Sequence, residues 1–112
     1  MRRDIAYLVD MLHAATLAMS FVEGMRYAEF AADAKTQAAV IREFEIIGEA
    51  AGRVSDEFQS HHLEVPWAGA ISMRNRMIHG YDSIDLEIVW QVLHKDIPDL
   101  IAILTPLVPT AS

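Results

Sequence analysis

The feature that most constrains the fold is a run of apolar residues, spaced four and three positions apart, in the middle of the chain. This spacing returns each apolar residue to the same side of an α-helix, so the run describes one long apolar face. Such a face needs other helices to cover it. We predict the central seam of a helical bundle, on a helix that Asp33 caps and that reaches about Phe58. The seam consists of Val40, Phe44, Ile47, Ala51, Val54 and Phe58.

Helical periodicity extends over nearly the whole chain, and no segment has the strict alternation of a β-strand. We therefore predict an all-α fold, an up-and-down bundle of four main helices with one short additional helix. The first helix spans Arg3 to about Phe21 and is followed by Gly24, a residue that adopts the left-handed conformation easily. The other predicted segments are a short turn at Tyr27 to Phe30, a third helix from about Pro66 to His79, and a fourth from Leu86 to about Leu104.

Local signals refine these helices. Asp85 is placed to cap the fourth helix. Pro98 lies inside the apolar pattern of that helix and predicts a kink, because proline lacks a backbone N–H and its ring clashes with the preceding turn. Gly48 and Gly52, one turn apart on another face of the second helix, predict a close approach of a neighbouring helix. The tail after about residue 105 is expected to be frayed.

The composition limits the classes of protein to which the chain can belong. At 112 residues it is predicted to form one domain. Hydrophobic residues make up 53%, yet no run approaches the ~18 apolar residues of a membrane helix. The surplus predicts an apolar helix face that a second copy covers, and hence a homodimer. Without cysteine there are no disulfides or thiolate metal sites. The N-terminus lacks an uninterrupted signal-peptide core, so we expect a cytoplasmic protein without a membrane partner.

Charge is distributed unevenly along the chain. The net charge of −7 argues against a general nucleic-acid-binding surface. The segment Ser72–Tyr81 nevertheless holds two arginines, an asparagine, a histidine and a tyrosine without an acidic residue, whereas residues 82–99 hold five carboxylates and a single lysine. Arginine can hold a phosphate bidentately, and histidine can move protons near neutral pH. The segment therefore predicts a small, local site suited to a phosphodiester.

Helical geometry limits how the residues of this segment can meet. On a continuous helix Asn75 and His79 share a face, but Arg74 and His79 lie about 140° apart around the axis. Two arrangements remain open. Either the helix ends at His79 and its side chain swings out, or a two-fold dimer presents two copies of the segment across one cleft. The same residue types also cap ordinary helix ends, so spacing alone does not establish a function.

Two other groups of polar residues lie outside this segment. His61 and His62 are adjacent, which is poor geometry for binding one ion, and no third ligand is suitably spaced; a solvated loop is the simpler interpretation, and no metal site is predicted. Glu49 is spaced for an ion pair with Arg53 across one helical turn. The alternative is that Glu49 approaches Arg74 and orients it.

The segment Met73–Tyr81 resembles a family signature. It is similar to the Arg-x4-6-His motif of the HEPN superfamily and, more narrowly, to the Arg-x4-His-x-Tyr motif of its HepT-like branch. The resemblance extends from about Tyr7 to Leu100. Other segments typical of that branch are Lys35–Val40, Ile46–Ala51, Pro66–Trp67 and Asp85–Trp90.

This resemblance implies a function and its partners. HepT-like proteins are all-helical homodimers that act as toxins of type II or type VII toxin–antitoxin pairs and cut RNA without a metal or other cofactor. In that family the motif arginine and histidine form the active site between two protomers, which here implies catalytic roles for Arg74 and His79. The antitoxin is a small nucleotidyltransferase (MNT) that in some pairs transfers AMP to the motif tyrosine, here Tyr81. The residues expected to line the site are Asn75, Arg76 and Glu49.

The chemistry of these residues is consistent with metal-free RNA cleavage. The 2′-hydroxyl attacks, a base and an acid transfer protons, and a cation stabilises the phosphorane. His79 would serve as base or acid and Arg74 as the cation, with a 2′,3′-cyclic phosphate as product. Two other functions stay open. One is a non-catalytic partner or nucleotide-binding subunit of a minimal nucleotidyltransferase, and the other is a purely structural dimerisation bundle, which the charged segment makes the least expected.

Overall fold

A computed structural model describes residues 2–73, 78–79 and 83–109, and the side chains of residues 3–73 and 84–109. Five helices come first: α1 (Arg2–Phe21), α2 (Tyr27–Ala31), α3 (Ala34–Arg53), α4 (Asp56–His61) and α5 (Trp67–Ile71). The later elements are the strands β1 (Ile78–His79) and β2 (Ser83–Ile84), α6 (Leu86–Gln91), a π-helical turn (Val92–Asp96), α7 (Ile97–Leu104) and a 3-10 turn (Thr105–Leu107).

The hydrophobic core lies mainly between α1 and α3, which form the most extensive helix pair of the described residues. The predicted seam is confirmed, since all six of its residues are buried. Alanines on the facing side of α1 are buried as well and place little volume between the two helices. α5 packs on α3, and α7 packs on α1. The predicted all-α helical bundle is thus confirmed; its homodimeric state stays a prediction. None of the described helices is long and apolar enough to cross a membrane.

The predicted second helix is divided into two helices. α3 ends at Arg53 rather than near Phe58, and α4 begins at Asp56 after an extended Val54 and Ser55. The Ser55 hydroxyl oxygen accepts the backbone N–H of Phe58 at 3.1 Å and so caps α4. The Asp4 carboxylate of α1 accepts both the backbone N–H and the hydroxyl of Ser55, each at 2.8 Å. A tertiary contact therefore ends α3 where the apolar periodicity continues.

The predicted third helix is interrupted at Ser72: Met73 is helical again, and residues 74–77 lie outside the described residues. α5 ends at Ile71, where the backbone N–H of Ser72 donates to carbonyls of the last turn. The backbone of His79 lies in β1, which pairs antiparallel with β2 so that Ile78 is opposite Ile84 and His79 is opposite Ser83. The prediction that the third helix reaches His79 is therefore wrong. Isoleucine favours extended backbone, and a two-residue ladder is too short to give a periodic signal.

The other local predictions concern helix ends. Asp33 accepts the backbone N–H of Thr36 at 3.0 Å and caps α3 as predicted. Asp85 likewise caps α6, accepting the backbone N–H groups of Glu87 and Ile88 at 3.1 and 3.2 Å. Gly24 has a φ of 76°, which provides the left-handed turn after α1.

The helix that contains Pro98 changes its hydrogen bonding before the proline. In the π-helical turn the backbone N–H of Ile97 donates to the carbonyl of Val92, five residues earlier. Such a turn is a known cause of helix bending, and it lies just before Pro98. The kink itself stays a prediction. A frayed tail is predicted after about residue 105. The structure instead continues from Leu104 into the 3-10 turn. There Leu107 packs, partly buried, against the core.

Candidate active site

The predicted catalytic residues belong to residues 72–83, which connect α5 to Ile84 and are called the catalytic segment after that prediction. Arg74, Asn75, Arg76 and Tyr81 lie outside the described residues, and His79 is described through its backbone alone. The pairing of His79 with Ser83 fixes the direction of the backbone at the histidine. The structure therefore shows how this segment is held at its two ends, and the roles of its side chains stay predictions.

The end nearer the N-terminus is held by buried residues of and around α5. Trp67 starts the helix, and its indole N–H donates to the carbonyl of His62 at 2.9 Å. The Trp67 ring also meets the ring of Phe58 edge to face, with centroids 6.3 Å apart. Met73, the residue directly before Arg74, is 3% exposed and belongs to the hydrophobic core. The chain thus enters the catalytic segment from a fixed position.

Gly48 of α3 lies directly against the end of α5. A Cβ atom placed on Gly48 would lie 3.1 Å from the carbonyl oxygen of Ile71 and 3.3 Å from that of Ala70. Both distances are shorter than ordinary van der Waals contact. The predicted close helix approach is confirmed at Gly48. At Gly52, one turn later, no described atom lies within 4 Å of such a Cβ, so the prediction is wrong there.

Glu49 is the one predicted site residue whose side chain is described. Its carboxylate accepts the guanidinium of Arg53 at 2.9 Å, and both side chains are exposed. This confirms the ion pair across one helical turn. Glu49 also lines a shallow recess of about 140 Å³ between α1 and α3, together with Tyr7, Asp10 and Ile46. Its expected approach to Arg74 depends on a residue outside the described ones and stays a prediction.

Two exposed isoleucines border the catalytic segment. Ile71 precedes it and Ile84 follows it, and each is 39% exposed. Ile84 lines an apolar groove of about 340 Å³ between β2 and the start of α3, with Ile41 and Leu86 among the other lining residues. The helical periodicity of the sequence did not indicate that Ile71 and Ile84 are both exposed. The available signal was the isolated position of Ile84 in a loop of polar residues.

A cavity of about 410 Å³ on the side of α5 that faces α7 has an acidic rim. Its floor is apolar and includes Ala70 and Met73, while Glu64, Asp96 and Asp99 contribute carboxylates. Among the described residues that line it there is no lysine or arginine. These carboxylates would repel an anionic ligand such as a phosphate.

His61 ends α4 instead of lying in a loop as predicted, and His61 and His62 have separate partners. The Nδ1 atom of His61 lies 2.8 Å from the carbonyl oxygen of Glu57, and that of His62 lies 3.1 Å from the carboxylate of Glu64. The His62 ring stacks on Phe58. The backbone N–H of Glu64 itself, and then the His62 ring, lower the pKa of the Glu64 carboxyl. Within the described ranges, no three His, Asp or Glu residues are placed to hold a metal ion.

Known proteins match the chain over both ends of this segment. A family model described as Ribonuclease HepT-like matches residues 11–107. A protein of Thermococcus cleftensis named as a probable ribonuclease HepT is 39% identical over 94 residues, covering 84% of this chain and 86% of that protein. A protein of Methanocaldococcus jannaschii named as a candidate RNase is 36% identical over 99 residues, covering 88% and 82%. No solved structure gives a significant match.

Proposed function

Because this chain belongs to the HepT-like ribonuclease family, we propose that it is the RNA-cleaving toxin of a type II or type VII toxin–antitoxin pair. One observation carries the proposal. Arg74, His79 and Tyr81 occur in the order and spacing of the HepT-like motif, inside the part of the chain that the family model matches. The chain is accordingly an enzyme of the endoribonuclease class, and the proposal concerns how it acts and what controls it.

The proposed reaction needs no metal ion or other cofactor. The 2′-oxygen of a ribose attacks the neighbouring phosphorus while the bond from phosphorus to the 5′-oxygen breaks. A His79 imidazole takes the proton of the 2′-hydroxyl, and a His79 imidazolium gives a proton to the leaving 5′-oxygen. Arg74 neutralises the charge of the phosphorane. The products are a 2′,3′-cyclic phosphate and a free 5′-hydroxyl.

We further propose that two copies of the chain form the cleft, so that each supplies one His79. Exposed apolar residues next to a polar site are typical of surfaces that another protein covers. Ile71 and Ile84 are such residues, and they border the catalytic segment on both sides. In a two-fold dimer these two isoleucines would face the partner copy, which brings two copies of Arg74 and His79 to one cleft.

An Ile84→Asp variant tests the dimer. We expect it to be monomeric by light scattering and inactive on RNA, because a carboxylate would be buried in the interface. The matched control is Leu63→Asp, since Leu63 is 80% exposed in the loop between α4 and α5. Leu63→Asp should remain dimeric and should still cleave RNA. A monomeric Ile84→Asp variant that still cleaves RNA would contradict a shared cleft.

The proposed partner is an MNT-type nucleotidyltransferase antitoxin that modifies Tyr81. The tyrosine oxygen attacks the α-phosphorus of ATP, pyrophosphate leaves with the electrons of the broken bond, and the phenolic proton is released. The new phosphodiester carries a negative charge and a bulky nucleoside. It would fill the cleft and compete with the phosphate of the substrate for Arg74. The position of Tyr81 two residues after His79 supports this assignment.

The decisive experiment compares His79→Ala with the matched control His94→Ala. His94 is exposed on the π-helical turn, and its Nδ1 atom lies 2.9 Å from the carbonyl oxygen of Trp90. With EDTA present, we expect the wild type and His94→Ala to cut RNA and arrest growth. His79→Ala should lose about 1,000-fold in rate, the usual scale for a proton-transfer group.

A second outcome would favour a different function. If the wild type cuts no RNA and expression of it alone is harmless, the catalytic proposal fails. If deletion of the chain then removes only the activity of the nucleotidyltransferase, the chain is a non-catalytic subunit of that enzyme.

A further inference from the structure

At Gly48, the end of α5 contacts α3 through backbone atoms. This glycine is buried, and the carbonyl groups of Ala70 and Ile71 lie where its side chain would be. A methyl group at this position would meet the Ile71 oxygen at 3.1 Å. Because the opposing atoms belong to backbone, no side-chain rotation can relieve that contact. An alanine at this position requires the neighbouring backbone of α5 to give by a few tenths of an ångström.

A shift of α5 would be carried into the catalytic segment. The helix has five residues, and its start is fixed by the hydrogen bond of Trp67. Arg74 follows Ile71 by three positions, and of the two residues between them Met73 is buried in the core. Such a short connection has little length over which to absorb a displacement. A displacement of the last turn of α5 would therefore act on Met73, the residue directly before Arg74 in the sequence.

We propose that Gly48 is a positioning residue for RNA cleavage. The lack of a side chain at Gly48 sets the distance between α3 and the end of α5, and this distance places Arg74 relative to His79. The role requires no contact between Gly48 and RNA. This proposal rests on the proposed ribonuclease function. It means that cleavage requires a glycine at position 48 in addition to the motif residues.

α3 itself contains the matched control. Gly52 lies one turn after Gly48 in the same helix, and no described atom lies within 4 Å of the Cβ that an alanine would add. Both substitutions to alanine raise the intrinsic helix propensity, so neither should weaken α3 itself. A difference between Gly48→Ala and Gly52→Ala therefore reports the contact with α5 rather than a general effect on α3.

The experiment measures single-turnover cleavage of an RNA oligonucleotide at saturating enzyme. The contact requires α5 to move by a few tenths of an ångström, so we expect Gly48→Ala to lower the cleavage rate about tenfold, in line with the sensitivity of catalysis to misplaced groups. Gly52→Ala should cleave at the wild-type rate. RNA affinity, measured for each glycine variant combined with His79→Ala, should not change. Cleavage by Gly48→Ala at the wild-type rate, or an equal loss in both variants, would overturn the proposal.

A second measurement does not depend on activity. We would follow the imidazole signals of His79 by NMR during a pH titration, with the signals assigned through His79→Ala. Gly48→Ala should shift these signals and their titration midpoint, whereas Gly52→Ala should leave both in place. If the wild type cuts no RNA, the ribonuclease proposal fails while this comparison still tests the positioning role. Unchanged signals, or a Gly48→Ala variant without cooperative unfolding, would overturn it.

Discussion

The helices α1 and α3 are much longer than the elements of the region between α5 and β2. α1 and α3 are each 20 residues long, whereas α5 has five residues and each strand has two. A long helix keeps most of its contacts when one is lost. A five-residue helix is not stable by itself and depends on the few contacts that fix it. The long pair is therefore expected to supply the stability of the fold, and the short region to carry the chemistry.

This division has a consequence for mutations. Changes in the α1–α3 pair should lower the free energy of unfolding and affect cleavage only through the amount of folded protein. Changes in the catalytic segment should affect cleavage with little effect on stability. Gly48 and Glu49 of α3 are exceptions, since Gly48 contacts the short region and Glu49 is predicted to line the site.

The largest expected effect on stability is that of Phe44→Ala. Phe44 is fully buried in the seam of α3, and removing such a ring destabilises a protein by about 4 kcal/mol. That is a large part of the stability of a small domain. Urea unfolding should show this loss for Phe44→Ala and almost none for His79→Ala, while RNA cleavage should show the reverse. Equal losses of stability in both variants would contradict the proposal that the long pair supplies stability and the short region the chemistry.

A smaller effect is expected where α1 holds the corner between α3 and α4. Asp4→Ala removes two hydrogen bonds from Ser55 to a carboxylate, and such charge-assisted bonds contribute about 2 kcal/mol. We expect lower stability in urea unfolding and an unchanged cleavage rate per folded molecule. Asp10→Ala, at an exposed position on the same helix, is the control and should leave stability unchanged.

The Asp4 contact also predicts a dependence of stability on pH. The backbone N–H of Ser55, and then its hydroxyl, lower the pKa of the Asp4 carboxyl in the folded state. The folded state therefore favours the ionised form, and the stability from this contact is fully present above the unfolded pKa of about 4. It is lost as the pH falls through the lower pKa of the folded state. The difference in unfolding free energy between wild type and Asp4→Ala should shrink over that range, and a constant difference would exclude ionised Asp4 as its cause.

The features that were predicted correctly are local or periodic. The seam of α3 follows from apolar spacing, and the caps Asp33 and Asp85 follow from residue type next to a helix start. The end of α3 could not be predicted in this way, because it depends on Asp4, which lies 51 positions from Ser55 in the sequence. The strand pair at His79 was missed for a related reason, since two residues are too few to show alternation.

The candidate site was predictable in its chemistry and not in its geometry. Residue types and motif spacing identify Arg74, His79 and Tyr81 as candidates. The position of α5 against Gly48 depends on how two helices distant in sequence pack together. The angle of about 140° between Arg74 and His79 was calculated for a continuous helix. Because His79 lies in a strand, that angle does not apply.

The two aspartate caps allow the regions to be compared at equal cost to stability. Loss of an N-cap side chain destabilises a protein by about 1 kcal/mol. Asp33→Ala changes the start of α3, and Asp85→Ala changes the start of α6, directly after β2. We expect similar losses in urea unfolding for both. RNA cleavage per folded molecule should fall for Asp85→Ala alone, because its helix start borders the catalytic segment. Equal cleavage in both variants would show that the start of α6 does not position the site.

The smallest expected effect on stability belongs to the ion pair of Glu49 and Arg53. Both side chains are exposed, and such pairs contribute less than about 0.5 kcal/mol. Glu49→Gln and Arg53→Gln should therefore unfold at nearly the same urea concentration as the wild type. Their cleavage rates separate two roles for Glu49. A residue that lines the catalytic site must lower the rate when changed, so we expect a loss for Glu49→Gln and none for Arg53→Gln. Wild-type rates in both variants would restrict Glu49 to the surface of the α1–α3 pair, although it lies next to Gly48 in the sequence.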